Sequence, residues 1–269
     1  MTRSESEDRL LPIDAAALAA AVAHLVRFRK VQCQAELDST NSSALRAMRS
    51  RGSAGLTILA EEQRAGRGRA GRPWTSPVGS GLLLSTILPT PLSQQTLPAL
   101  GFWAALAAAQ TIERLTGFRP DFKWPNDLVT SDGKLAGILV EGETIGAASR
   151  MVIGVGINVN RPAAVPSALA GTAAWLSDVA GHRIDRTVLA AGLLQCYERE
   201  YDRLLERPKG IIADWARGAK LEGLRLSVRA AGGALLHEGI ARGVADDGAL
   251  LLDTTSGPVR VTLGDVAML

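Results

Sequence analysis

Residues Gly66–Trp74 read G-R-G-R-A-G-R-P-W. Apolar runs lie on both sides, Thr57-Ile-Leu-Ala60 before and Leu82-Leu-Leu-Ser-Thr-Ile-Leu88 after, and both read as buried strands. A loop slung between two core strands belongs to a folded scaffold, and binding residues concentrate in such loops. This one interleaves Arg67, Arg69 and Arg72 with Gly66, Gly68 and Gly71, and Arg64 lies just upstream. Arginine can clamp phosphate or carboxylate by paired hydrogen bonds. Glycine lets backbone approach a ligand and lets the loop move. Arg-Gly tracts also bind nucleic acid as disordered segments, but the flanking strands and the shortness of this stretch favour a loop that closes on an anionic ligand.

Outward from this loop the chain alternates helix and strand. Asp14 is placed to cap an Ala-rich helix running to about His24, after a polar segment over residues 1–10 that reads as disordered. Ser39 or Thr40 caps a predicted helix over Asn41–Arg51, which stops at Gly52. Leu97–Leu115 reads as an apolar helix ending at Gly117. Phe122–Trp124, Lys134–Glu141 and Met151–Asn158 read as strands. Thr187–Glu206 carries leucines and tyrosines at helical spacing. This pattern predicts an α+β, mixed-sheet domain over residues 36–218, preceded by an N-terminal extension over 1–35 with a short helix. From about Gly218 the pattern changes to short alternating strands such as Leu224–Arg229 and Val259–Leu263, with turns at Gly232-Gly233, Asp246-Asp247-Gly248 and Ser256-Gly257-Pro258. Residues 219–269 therefore read as a small β-barrel.

The bulk numbers set bounds. The 269 residues are 46% hydrophobic and 21% charged, enough for one large core or one large and one small. A net charge of +3 without a dense basic run argues against a nucleic-acid tail. Cys33 and Cys196 lie far apart, which suggests a reducing compartment and no zinc site. His24, His182 and His237 are scattered and suggest no metal cluster. The acidic start, with Glu5, Glu7 and Asp8, is wrong for a signal peptide. The longest apolar run falls short of the roughly 18 residues that a spanning helix needs. A cytoplasmic protein without membrane association is expected.

Three further strings carry chemistry-bearing residues. Lys123-Trp-Pro-Asn-Asp127 puts Asn126 and Asp127 at a strand end, where they could face a ligand or simply make a turn. Lys134-Leu-Ala-Gly-Ile-Leu-Val-Glu141 opens an apolar strand with a lysine, either a fixed charge at a pocket mouth or a solvated strand end. Gly154-Val-Gly-Ile-Asn-Val-Asn160 has glycines inside a strand, a sign of close ligand approach or of tight packing.

In this order and spacing, Asp38-Ser-Thr-Asn41, Glu62-Gln63, Gly66–Trp74 and these three strings resemble the biotin protein ligases (biotin–[acetyl-CoA-carboxylase] ligases). The resemblance covers roughly residues 36–269, since that family's small SH3-like barrel fits residues 219–269. It implies two steps, formation of biotinyl-5′-AMP from biotin and ATP, then transfer of biotin to a lysine of the biotin carboxyl carrier protein. By this resemblance Ser39, Thr40, Asn41 and Gln63 would meet the biotin head group. Arg67, Gly68 and Arg69 would wrap its tail and carboxylate. Lys134 would bridge carboxylate and phosphate, making Lys134 and Arg69 the catalytic pair. Arg69, Arg72, Trp74, Lys123, Asn126, Asp127, Gly156, Asn158 and Trp175 would meet ATP or the adenylate, with Trp175 on adenine and Mg²⁺ at Asp127. Some family members carry an N-terminal DNA-binding domain. Residues 1–35 leave no room for one, so a ligase without specific DNA binding is expected. A homodimer is compatible with the family.

Two alternatives have different consequences. A lipoate–protein ligase shares fold and adenylate chemistry, but a lipoyl pocket has no use for polar Thr40 and Gln63. A nucleic-acid-binding protein could use the Arg-Gly loop and the barrel, but aromatics make up only 4% of the chain, which leaves little for base stacking.

Overall fold

The fold is a computed structural model that describes residues 11–145 and 148–269; the disorder expected for residues 1–10 lies outside the described residues. Helix α1 spans Ala15–Val22, and the Asp14 carboxylate caps it by accepting from Ala16 N and Ala17 N at 3.0 and 2.9 Å. Strand β1, Lys30–Leu37, pairs in parallel with β2, Leu56–Gln63. The domain boundary expected at residue 36 thus falls inside β1. Its mixed, half-exposed sequence hides it from a hydrophobic-period reading, because an edge strand buries little. Between these strands runs α2, Thr40–Met48, capped by the Ser39 hydroxyl.

The sheet continues through β3, Gly81–Ile87, whose seven residues are all buried. Helices cover both faces of that strand, which is why its sequence reads as one apolar run. After the two-residue β4, Leu92–Ser93, comes α3, Leu100–Thr116, which ends at left-handed Gly117. It starts later than expected from sequence, since Leu97–Ala99 winds as a 3₁₀ turn around Pro98. Strands β5 (Asp121–Lys123), β6 (Asp127–Thr130), β7 (Gly133–Ile145) and β8 (Ala148–Asn158) complete the sheet. Its order is β1-β2-β3-β8-β7-β6-β5, with β4 paired to β8. Helices α4 (Leu176–Ala180), α5 (Arg186–Glu206) and α6 (Pro208–Ala219) follow.

Helices α1, α3, α5 and α6 contribute to one large core, centred on Trp103, Tyr197, Tyr201 and Trp215. Helix α2 packs Ala44 and Met48 onto Ile58, Ile87 and Val152 in a second, smaller cluster. Large apolar burial on one side and a thin cover on the other leave the cleft above the β7–β8 strands accessible.

The C-terminal segment forms β9 (Arg225–Arg229), β10 (Leu235–Val244), β11 (Leu250–Thr254), β12 (Gly257–Val261) and β13 (Asp265–Met268). These make an antiparallel sheet in the order β12-β11-β10-β9-β13. Among the described residues β12 and β13 do not pair, so the expected barrel is an open sheet with two edges. Leu226, Val228, Leu250 and Leu252 join the main core. Trp124 Nε1 donates to Gly248 O at 2.9 Å and ties the two sheets together.

Candidate active site

A cleft of about 320 Å³ lies over the middle of β3, β7 and β8, roofed by the glycine-arginine loop. Its walls include Ser39, Thr40, Asn41, Gln63, Arg67, Gly68, Arg69, Arg72, Trp74, Asn126, Asp127, Lys134, Gly156 and Asn158. Four strings separated by up to a hundred residues thus meet in one place. The strand register explains how. Gly137 stands opposite Gly156, and Leu139 opposite Gly154, across the β7–β8 ladder.

The absence of side chains at these glycines makes the floor. A Cβ on Gly156 would lie 2.5 Å from Trp74 Cε2, and one on Gly137 would lie 3.0 Å from Trp74 Cζ3. The Trp74 indole therefore rests on bare backbone, its Nε1 buried without a hydrogen-bond partner. A Cβ on Gly154 would collide with Asn41 Oδ1. Of the two uses the sequence leaves open, ligand approach and tight packing, the contacts of these glycines with Trp74 and Asn41 show the second.

One end of the cleft is polar and neutral. Thr40 N and Thr40 Oγ1 both donate to Gln63 Oε1, at 2.7 and 3.0 Å. The Ser85 hydroxyl donates to Thr40 Oγ1 at 2.8 Å and Asn41 Oδ1 at 2.5 Å. Thr40 thereby keeps one oxygen lone pair and Gln63 keeps its amide NH₂ for a ligand.

The other end is charged. Arg69 Nη1 donates to Asn126 Oδ1 at 3.1 Å, and Asn126 Nδ2 donates to Ile138 O at 2.5 Å. Burial lowers the pKa of Arg69, while the carboxylates of Asp265 and Asp127 work against that shift. A guanidinium stays charged regardless, so this end holds a fixed, partly desolvated cation. Lys134 Nζ pairs with Asp127 Oδ1 at 2.8 Å and lies 5.4 Å from the Trp74 ring centroid. Backbone holds the lysine in place: its N–H donates to Thr172 O at 2.8 Å, and its carbonyl accepts from Ala174 N and Asn158 Nδ2.

The roof is a narrow hairpin in which Trp74 N donates to Gly66 O at 2.8 Å and Gly68 N to Arg72 O at 2.7 Å. Arg67 and Arg72 lean outward to Glu141 and Asp265, at 3.1 and 2.7 Å. A roof held by exposed ion pairs can be lifted at small cost.

Two expected residues are elsewhere. Trp175 is 2% exposed, lies outside the cleft wall, and has the Arg161 guanidinium 4.6 Å from its ring centroid. The indole is buried beside Arg161 and does not contribute to the cleft wall. Lys123, at the end of edge strand β5, is also absent from the cleft wall. In that string Asn126 and Asp127 face the cleft and Trp124 is buried between the sheets. Sequence reasoning missed Ser85, whose one signal is a hydroxyl beside that of Thr86 in an otherwise apolar run. It also missed Leu169 and Thr172, which wall the cleft from a loop with no motif.

Known proteins share these features. Residues 34–158 match the family model described as the biotin/lipoate A/B protein ligase family, and residues 227–269 match the biotin protein ligase C-terminal domain. The Mycobacterium tuberculosis biotin–[acetyl-CoA-carboxylase] ligase is 33% identical over 249 residues, which is 90% of each chain. The Bacillus subtilis bifunctional ligase/repressor BirA is 35% identical over 235 residues, covering 86% of this chain and 72% of its own. The Aquifex aeolicus biotin protein ligase, solved in complex with biotin and ATP, superposes with a TM-score of 0.74 at 24% identity over 90% of this chain and 99% of that one, a likeness of fold. With both domain models matched in order, and a relative one-third identical along nine-tenths of its length, this chain belongs to the biotin protein ligase family of enzymes.

Proposed function

We propose that the protein joins biotin to ATP, releasing pyrophosphate, and then passes biotin to a lysine of the biotin carboxyl carrier protein of acetyl-CoA carboxylase. The observation that carries this reading is the division of one cleft into a neutral hydrogen-bonding end, at Thr40 and Gln63, and a cationic end, at Arg69 and Lys134. A ureido ring has N–H donors and a carbonyl acceptor, which suit a Thr40 lone pair and the Gln63 amide. A dithiolane ring has neither, which disfavours lipoate.

In the first half-reaction a biotin carboxylate oxygen attacks the α-phosphorus of ATP. The bond from that phosphorus to its bridging oxygen breaks, and pyrophosphate leaves with the bonding pair. Both reactants are anions, so the main task of the site is to hold them together. Lys134, at the cationic end, would neutralise carboxylate and phosphate as they meet. Arg69 would hold the phosphate side from its anchor on Asn126, with Arg72 reaching the outer phosphates once released from Asp265. Trp74, Gly156 and Asn158 would line the nucleotide's path.

ATP arrives as its Mg²⁺ complex. Magnesium is commonly held by one or two carboxylates plus substrate phosphates, and Asp127 is a carboxylate on the cleft wall that fits this arrangement. Among the described residues no cluster of three or more metal ligands occurs, so a dedicated protein cage for the ion is not the model.

In the second half-reaction the acceptor amine attacks the acyl carbon of the mixed anhydride. An amide forms, the acyl–oxygen bond to AMP breaks, and AMP leaves. The nucleophile comes from the acceptor, so no protein nucleophile is needed.

The test is pyrophosphate release from Mg·ATP by the purified protein, with biotin and lipoate in separate reactions. Release with biotin alone supports the reading. Release with lipoate alone moves the chain to the sister activity, and release with neither would leave only a binding role.

A further inference from the structure

A second hollow, of about 250 Å³, adjoins the cationic end of the cleft, and Arg69, Asn126 and Ile138 line both. It lies where the large sheet, the start of α3 and the C-terminal sheet meet. Its wall is largely apolar, with Leu97, Phe102, Pro125, Val140 and Ala249 beside Gly101. Most of its polar groups are already occupied. Arg69 Nη1 donates to Asn126 Oδ1, Asn126 Nδ2 to Ile138 O, and Trp124 Nε1 to Gly248 O. The Asp247 carboxylate accepts from Ala249 N and pairs with Arg260. Thr262 lies exposed at the rim. Such a recess suits an apolar side chain better than a charged or hydrogen-bonding group.

No step above uses this hollow, and the second half-reaction has a need that it meets. Every lysine offers the same amine, so the choice of one acceptor lysine falls to the residues around it. A lysine carries its amine on a flexible four-carbon stem. When that amine reaches an acyl carbon beside Arg69 and Lys134, the acceptor backbone stays at the mouth of the cleft. A chain neighbour of the lysine is then within side-chain reach of the hollow on the other side of Arg69 and Asn126. We propose that this hollow is an acceptor subsite, which takes an apolar side chain next to the target lysine and so selects the lysine to be modified. The proposal rests on the reading of the second half-reaction as transfer to a protein lysine. Adenine is the rival occupant, but its ring nitrogens and amino group need hydrogen-bond partners, and the occupied wall offers few.

The experiment uses the full chain with Gly101→Leu and, separately, Val140→Thr. Gly101 is in the first turn of α3, and a Cβ there meets only Val140 Cγ2, at 4.0 Å. Leucine therefore keeps the helix and fills the hollow. Val140→Thr keeps a β-branched side chain and sets a hydroxyl in the wall. Each variant is measured in biotin-dependent pyrophosphate release, in transfer from preformed biotinyl-5′-AMP to hydroxylamine, and in transfer to the biotin carboxyl carrier protein. The proposal expects the first two to stay within about twofold of the unaltered protein, which also reports an intact fold. Transfer to the carrier should fall about tenfold or more in Gly101→Leu, through KM, the scale of one buried apolar side chain. It should fall at least about threefold in Val140→Thr. Among carriers with each apolar neighbour of the lysine replaced in turn by serine, one loss should not multiply with that of Gly101→Leu. Unchanged transfer to the carrier in either variant would overturn the proposal, as would losses that multiply for every neighbour. A raised ATP KM in both variants would put the nucleotide in the hollow and overturn it too. An unaltered protein that modifies hydroxylamine but not the carrier would overturn the transfer reading itself, a result distinct from the others.

Discussion

Arg72 of the glycine-arginine loop and Asp265 of β13 form a two-pronged ion pair, Nη1 to Oδ2 at 2.7 Å and Nη2 to Oδ1 at 2.8 Å. The C-terminal sheet thus holds the roof of the cleft by its tip. Both side chains are more than a third exposed, so the pair contributes about 1 kcal/mol or less to stability. Its effect on the loop is larger in relative terms, since opening a short hairpin requires little more than breaking its ties. Asp265→Asn should speed amide exchange across Gly66–Trp74 without biotin and move global stability by about 1 kcal/mol at most. Biotin or its adenylate should restore protection in both forms. Hydrogen exchange with mass detection checks this. Equal loop protection in the variant and the parent would mean the sheet does not restrain the roof.

Lys134→Ala addresses the chemistry. The lysine is held by three backbone hydrogen bonds that the variant keeps, so the fold should survive. Loss of one preorganised charge at a developing anion costs about 2.7–4 kcal/mol of barrier, or roughly 10²–10³ in rate. Pyrophosphate release should fall by that factor while biotin binding falls less. Near-parental release would remove Lys134 from the mechanism.

How far the sequence could be read depends on whether a residue's role is local. The apolar runs at β3, α3 and α5 follow directly from periodicity, because their burial is continuous. Strand β1 escaped because an edge strand buries few side chains, and α6 because its turn-rich start at Pro208 resembles a loop. In the site, Arg69, Lys134 and Gln63 were legible, since charge and amide chemistry in glycine-marked strings have few other uses. For Trp175 the letter alone decides nothing, because an indole packs in a core as readily as on a ligand. Ser85 and Asp265 meet Asn41 and Arg72 only across 44 and 193 residues of sequence, which no local pattern encodes.

The glycines of β8 allow two outcomes to be told apart by a single methyl group. Gly154→Ala pushes a Cβ into Asn41, which is 3% exposed and hydrogen-bonded on both sides of its amide. Nothing there can yield, and overpacking of this kind costs about 1–3 kcal/mol. Gly156→Ala instead meets Trp74, which sits on the movable roof. The indole can lift away, so stability should change little while tryptophan emission shifts and ATP binds more weakly. Urea denaturation of both variants, read beside their fluorescence, separates the two. Equal destabilisation would show the roof to be as rigid as the core.

The pH dependence of stability has one well-defined source next to the site. Asp38 accepts from Arg46 Nη1 and Nη2 at 2.9 and 3.1 Å and from Ser39 N at 2.7 Å, and these bonds, those of Arg46 first, hold its carboxyl far below the usual carboxylate range. A carboxyl depressed by folding adds stability above its unfolded pKa of about 3.9. That contribution is lost as pH falls from there toward the folded value. Asp38→Asn keeps an acceptor for Ser39 N and removes the charge, so its stability should decline less between about pH 5 and pH 2. The difference should shrink in added salt, since Asp38 and Arg46 are both about half exposed or more. Denaturation midpoints across that range check the point. Parallel curves for parent and variant would show that the Asp38–Arg46 pair, although it brackets the start of α2, contributes nothing to holding Ser39 and Thr40 at the mouth of the cleft.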